Sequence, residues 1–203
     1  MGASNTKLRI GVLASGGGTN LQSIIDACSA GDIDAKIVRV ICNNPDAGAL
    51  QRAERARIPT CCINHRDFDS RATFDAAVIA QLQQDHVELV VLAGFMRIVG
   101  TNFVNAFPHR IMNIHPALLP KFGGKGMYGD RVHKAVVDAG ETESGITIHY
   151  VNEHYDEGHI VFQAKCPVSI DDTPETVAQK VHALEYAHYP RVIEELISNL
   201  DTQ

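Results

Sequence analysis

The sequence predicts an α/β fold on a doubly wound, mostly parallel sheet. Three observations carry this. The apolar run Leu8-Arg9-Ile10-Gly11-Val12-Leu13-Ala14 enters a glycine loop, Ser15-Gly16-Gly17-Gly18-Thr19-Asn20. Segments with strand and helix periodicity then alternate as far as Leu92, which implies right-handed crossovers. Leu89-Val90-Val91-Leu92 is wholly apolar, as a parallel strand covered on both faces must be. Residues 1–107 or so form a Rossmann-like, phosphate- or nucleotide-binding half. The remainder, about 108–203, carries an antiparallel β pair and C-terminal helices within the same single domain.

The first strand covers Leu8 to Ala14. A helix follows the glycine loop, with Leu21, Ile24, Ile25 and Cys28 on one face and Gly31 as its stop. Ile37–Cys42 is the second strand, Asn43-Asn44-Pro45-Asp46 a turn, Ala47–Arg57 a helix and Thr60–Ile63 a third strand. Phe74, Val78 and Leu82 set the stripe of a helix from about Ser70 to Gln84. Ile111–Ile114 is a strand leading into His115, and a loop with Gly123, Gly124, Gly126 and Gly129 precedes a helix over Val132–Ala139. Gly145–Val151 and Ile160–Pro167 alternate as a β pair outside the parallel part. Thr173-Pro174 starts a helix with Val177, Val181 and Leu184 buried; Pro190 is expected to interrupt it before it resumes over Val192–Ile197.

Composition narrows the classes. A chain of 203 residues, 45% hydrophobic, suits one compact domain with a full core. A net charge of −6 argues against a broad nucleic-acid footprint. No stretch reaches the roughly 18 apolar residues of a membrane span. The N-terminus lacks an apolar signal core, which argues against secretion. Gly2 and Thr6 satisfy an acylation pattern short enough to recur by chance. Cys28, Cys42, Cys61, Cys62 and Cys166 are odd in number and contain no Cys-x-x-Cys pair, so they read as reduced thiols of a cytoplasmic protein.

Asn113-Ile114-His115-Pro116 carries the chemistry. Residues i and i+2 of a strand project to one side, so Asn113 and His115 share a face at the strand's carboxyl end. There they offer an oxyanion donor and a group that titrates near neutral pH. The alternative for His115 is a core histidine bonded to a carbonyl. A carboxylate partner is needed; Asp156, Asp171 and Asp172 are equal candidates on residue type alone. The glycine loop offers free N–H groups at a helix N-terminus, where phosphate binds, with Thr19 and Asn20 adding side-chain donors. It is no P-loop, because no Gly-Lys-Ser/Thr follows, and no dinucleotide fingerprint, because Leu21 holds the third glycine position. His149, His154 and His159 recur every five residues, a spacing that fits no single strand or helix face, so no metal site is expected.

At these residues the sequence resembles the phosphoribosylglycinamide formyltransferases, the folate-dependent enzymes of purine synthesis, in their small single-domain form. The motifs are Ser15-Gly-Gly-Gly-Thr-Asn-Leu21, Leu92-Ala-Gly-Phe-Met-Arg-Ile98, Asn113-Ile-His-Pro-Ala-Leu-Leu-Pro120 and Tyr155-Asp-Glu-Gly158, and the match runs from about Arg9 to Leu196. The resemblance implies the formyltransferase fold and transfer of a formyl group from 10-formyltetrahydrofolate, a co-substrate, to the amine of glycinamide ribonucleotide. It implies Asn113, His115 and Asp156 as the catalytic trio. Gly18, Thr19 and Asn20 match positions that hold the acceptor's phosphate, and Glu185 one near its ribose. Arg71, Met96, Arg97, Ile98 and Val99 match the folate pocket, with Asn113 shared. The partners expected are these small molecules, with no metal, nucleic acid or membrane, in a cytoplasmic monomer or homodimer. Lys121–Gly129 is a few residues longer than the family's usual turn, a region often acting as a flap.

Four rivals are weaker. Formyltetrahydrofolate hydrolase shares Asn-x-His-Pro but carries an extra N-terminal domain and lacks this glycine loop. Methionyl-tRNA formyltransferase needs a basic C-terminal domain. A non-catalytic nucleotide-binding module has no reason to keep Asn113 and His115 on one face. Leu21 and Asn43-Asn44 disfavour a nicotinamide oxidoreductase.

Overall fold

The computed structural model describes residues 7–154 and 156–200. Gly2 and Thr6 of the acylation pattern, and Tyr155 of the Tyr155–Gly158 motif, lie outside them. The elements are β1 (Leu8–Ala14), α1 (Thr19–Ala30), β2 (Ala35–Cys42), α2 (Gly48–Arg55), β3 (Thr60–Cys62), α3 (Arg71–Gln84), β4 (Leu89–Leu92), α4 (Thr101–Ala106), β5 (Ile111–His115), α5 (Asp130–Asp138), β6 (Glu143–Tyr150), β7 (Ile160–Pro167) and α6 (Pro174–Leu200), with a short 3-10 turn at His65–Asp67.

One sheet runs through both halves in the order β3-β2-β1-β4-β5-β6-β7. The strands β1 to β5 pair in parallel, while β6 is antiparallel to β5 and to β7. Strand order reverses between β1 and β4, and the crevice beyond the carboxyl ends at such a point is where open α/β sheets bind ligands. Alternation along the strands sorts the core. Ile10, Val12, Val91, Met112 and Ile114 pack with α1, α2, α5 and α6 on one face. Leu13, Val90, Leu92 and Ile111 pack with Phe74, Val78, Leu82 and Phe103 of α3 and α4 on the other.

The structure adds one element and overturns one expectation. Nothing in the sequence marked α4. It has six residues, too few for a 3.6-residue stripe to show, and Asp75 Oδ2 supports its start by accepting from Gly100 N (2.7 Å). The expected break at Pro190 does not occur, because α6 is continuous from Pro174 to Leu200. Proline removes one helical N–H and crowds the carbonyl four residues back, at a cost of roughly 3 kcal/mol in a helix interior. Burial on both sides outweighs that here: Val177 and Val181 precede Pro190, Tyr189, Val192, Ile193 and Ile197 flank or follow it, and all are buried in one cluster. Tyr189 also donates its hydroxyl to the sheet, 3.0 Å from Leu92 O and 3.3 Å from Met112 O.

Candidate active site

A cleft of about 910 Å³ opens over the carboxyl ends of β1, β4 and β5. All twelve site residues that the resemblance implies line it: Gly18, Thr19, Asn20, Arg71, Met96, Arg97, Ile98, Val99, Asn113, His115, Asp156 and Glu185; Asp171 and Asp172 do not.

Gly18 is the N-cap of α1 at φ 74°, in the left-handed region. A Cβ there would also stand 2.6 Å from Ala49 Cα, so glycine is required both for conformation and for approach to α2. Asn20 spends its amide within the protein, Nδ2 donating to Glu185 Oε2 (3.0 Å), while its Oδ1 is buried without a partner. Glu185, at 5% exposure on α6, has its pKa pushed up to about 7 by burial, with the Asn20 hydrogen bond opposing.

Ser15 binds the two loops to each other. Its N donates to Gly94 O (3.1 Å), its Oγ accepts from Met96 N (2.8 Å), and the same hydroxyl donates to Asn43 Oδ1 (2.5 Å). Past this staple, Met96 (48% exposed) and Arg97 face the cleft while Val99 is buried. Arg71 begins α3 at the rim, and Asp75, one turn on, is buried with its pKa raised by desolvation.

Asn113 and His115 sit on the sheet face opposite Met112 and Ile114, as period-two alternation requires. His115 is only 4% exposed. Its Nε2 lies 2.8 Å from Phe122 O, and a carbonyl only accepts, so Nε2 carries the hydrogen. Nδ1 faces Asp156, 3.7 Å from Oδ2. That is beyond a direct hydrogen bond. His115 thus makes the carbonyl bond of a core histidine and still lines the cleft.

Asp156 reaches the site because its loop folds back. A Cβ on Gly158 would stand 1.6 Å from Tyr150 O, so only glycine lets the chain cross the end of β6 there. Asp156 takes a left-handed φ of 52° and its Oδ2 accepts from Gly124 N (2.9 Å), joining the 121–129 segment to the site. Asp172 is committed elsewhere. It accepts from Lys180, Thr176 and Ser169 at the start of α6, and the Lys180 ammonium in particular holds its carboxyl well below the usual range.

His149 was not singled out as a site residue. It stands opposite Asn113 in the β5–β6 register, and residues directly opposite in an antiparallel pair share a face. At 2% exposure its pKa is lowered, first by burial, which favours the neutral ring. Nδ1, 2.9 Å from Tyr150 O, carries its hydrogen; Nε2 therefore accepts from Asn113 Nδ2 (3.2 Å). With the amide nitrogen on that side, one Nδ2–H is spent on His149 and the Asn113 side chain still lines the cleft. Asp156 Oδ1 approaches His149 Nε2 to 3.7 Å, which is no ion pair with a neutral ring. The sequence signal was there, but it needed the strand register. Among the described residues no three His, Cys, Asp or Glu side chains are grouped to hold a metal ion, and no helix is long and apolar enough to cross a membrane.

A family model described as formyl transferase matches residues 8–193. The phosphoribosylglycinamide formyltransferase of Haemophilus influenzae is 45% identical over 185 residues, covering 91% of this chain and 85% of that protein. The trifunctional purine biosynthetic protein adenosine-3 of Drosophila melanogaster is 43% identical over 197 residues; they make up 96% of this chain, which spans 14% of that longer protein. Among solved structures, glycinamide ribonucleotide transformylase 1 from Symbiobacterium toebii superposes with a TM-score of 0.91 at 40% identity, covering 97% of this chain and 90% of that one.

Proposed function

This chain belongs to the formyl transferase family, and on that premise we propose that it is a phosphoribosylglycinamide formyltransferase. It moves the formyl group of 10-formyltetrahydrofolate to the amine of glycinamide ribonucleotide, in de novo purine biosynthesis. The observation that carries this reading is the convergence of Asn113, His115 and Asp156 in the cleft that the glycine loop also lines. The residues present fit both ligands: exposed Met96 and half-buried Ile98 offer an apolar wall for a pterin, and the loop at the start of α1 offers amides for a phosphate. The enzyme acts in the cytoplasm as a monomer or homodimer on free small molecules, without metal, nucleic acid or membrane.

The amine is itself the nucleophile, so direct attack through a tetrahedral intermediate needs no covalent enzyme adduct. Asn113 gives its second Nδ2–H to the developing oxyanion, a contact worth about 3 kcal/mol by analogy with other oxyanion holes. His115 exchanges a proton at Nδ1, the ring atom left open by the Phe122 bond, and passes it to the leaving nitrogen. Asp156, whose Oδ2 lies 3.7 Å from that atom, takes up the proton shed by the amine through water and returns a proton to Nδ1, so the one lost by the amine balances the one gained by the leaving nitrogen. Gly18, Thr19 and Asn20 bind the acceptor at its phosphate end and Glu185 at its ribose. Arg71 and the Met96–Val99 segment hold the folate.

The test is the absorbance of the folate product, followed with and without the ribonucleotide acceptor. Product that forms only with acceptor is the expected result. Equal rates in both reactions identify a hydrolase and defeat the proposal.

A further inference from the structure

The glycine loop is held from behind, and one of its holds is a side chain. Three successive carbonyls are engaged: Gly16 O accepts from Ala49 N (3.1 Å), Gly17 O from Arg52 Nε (2.7 Å) and Gly18 O, within α1, from Gln22 N (2.9 Å). In a planar trans peptide the C=O and the following N–H point in opposite directions. The amides of Gly17, Gly18 and Thr19 are therefore turned away from these partners. Ala49 and Arg52 both belong to α2, so the first two amides point away from α2, toward the side where Gly16 to Thr19 line the cleft.

The middle peptide is the vulnerable one. Glycine on both sides lets its plane rotate at little steric cost, unlike peptides flanked by a Cβ. The loop cannot regain a hold by settling onto α2, because the two already touch: a Cβ on Gly18 would meet Ala49 at 2.6 Å, and one on Gly48 would stand 3.2 Å from Gly17 O. The charge-assisted bond from Arg52 is what fixes that peptide plane. A second bond, from Arg52 Nη1 to Gln22 Oε1 (3.4 Å), anchors the guanidinium to α1. Arg52 lies behind the loop and not in the cleft wall.

Resting on the function proposed above, we propose that Arg52 is a positioning residue for the acceptor. It fixes the Gly17–Gly18 peptide with the Gly18 N–H presented to the phosphate, without touching the phosphate itself.

The test is Arg52→Met, which keeps an unbranched stem and removes every donor. Its KM for the ribonucleotide is expected to rise about tenfold, the scale of one charge-assisted hydrogen bond. The KM for the folate and the melting temperature should hold at wild-type values. In parallel, the Kd for inorganic phosphate, measured by calorimetry on both proteins, should weaken in the variant. An unchanged acceptor KM and phosphate Kd overturn the inference, and so does a rise in both substrate KM values together with a lowered Tm. A wild-type protein without acceptor-dependent transfer defeats the functional reading instead, and the phosphate comparison then still decides the role of Arg52.

Discussion

Removing the imidazole at position 115 separates binding from turnover. His115→Ala should lower kcat by about 10²-fold while both KM values change little, because the ring acts on a proton and holds neither ligand. Steady-state kinetics with each substrate varied check this; near-normal kcat in the variant refutes the role. Glu185 gives a prediction in pH. Its folded pKa of about 7 lies above the unfolded value near 4.5. Between those two values the unfolded chain releases a proton that the folded protein retains, so the ligand-free protein loses stability as pH rises through that window. Glu185→Gln lacks this term, so it should gain on the wild type as pH rises. The difference in melting temperature between the two should shift in its favour between pH about 5 and about 8. A difference that stays constant across that range would remove the buried acid from the account. At this scale the sequence was legible wherever local geometry sufficed. Asn113 and His115 share a face by strand alternation alone. His149 was illegible because its place depends on which residue of β6 stands opposite Asn113, a non-local register.

Glycine 158 shows how an element positions a side chain it does not carry. The β6–β7 connection must cross Tyr150 O at a distance no Cβ tolerates, and Asp156 rides on that crossing. Gly158→Ala should therefore destabilise the protein by about 2 kcal/mol or more and depress kcat, by forcing the loop outward. Urea unfolding and kinetics on the same preparation check both effects, and a variant with wild-type values of each contradicts the close approach. The choice of Asp156 over Asp171 and Asp172 was undetermined from residue type, and this glycine two positions on was the available clue. Parallel strands were legible because burial on both faces writes continuous apolar runs. The helix α4 was not, being shorter than two turns, and Pro190 misled because propensity ignores what a helix packs against.

Across the whole molecule, Tyr189 joins the last helix to the two strands whose ends form the site. Tyr189→Phe removes hydroxyl bonds to Leu92 O and Met112 O and should cost about 1–2 kcal/mol, read as a lower denaturation midpoint with unchanged slope. An unchanged midpoint would mean those carbonyls are satisfied without it. The alternation of elements made the doubly wound class legible. The continuation of the sheet through β6 and β7 made the parallel and antiparallel parts one surface, and only strand order shows that.

Asn20 and Glu185 meet across 165 positions of chain. During synthesis the glycine loop and the Met96–Val99 segment leave the ribosome well before α6, the helix that carries Glu185. A nascent chain therefore lacks one wall of the cleft, and the partner of the Asn20 amide, until α6 clears the exit tunnel.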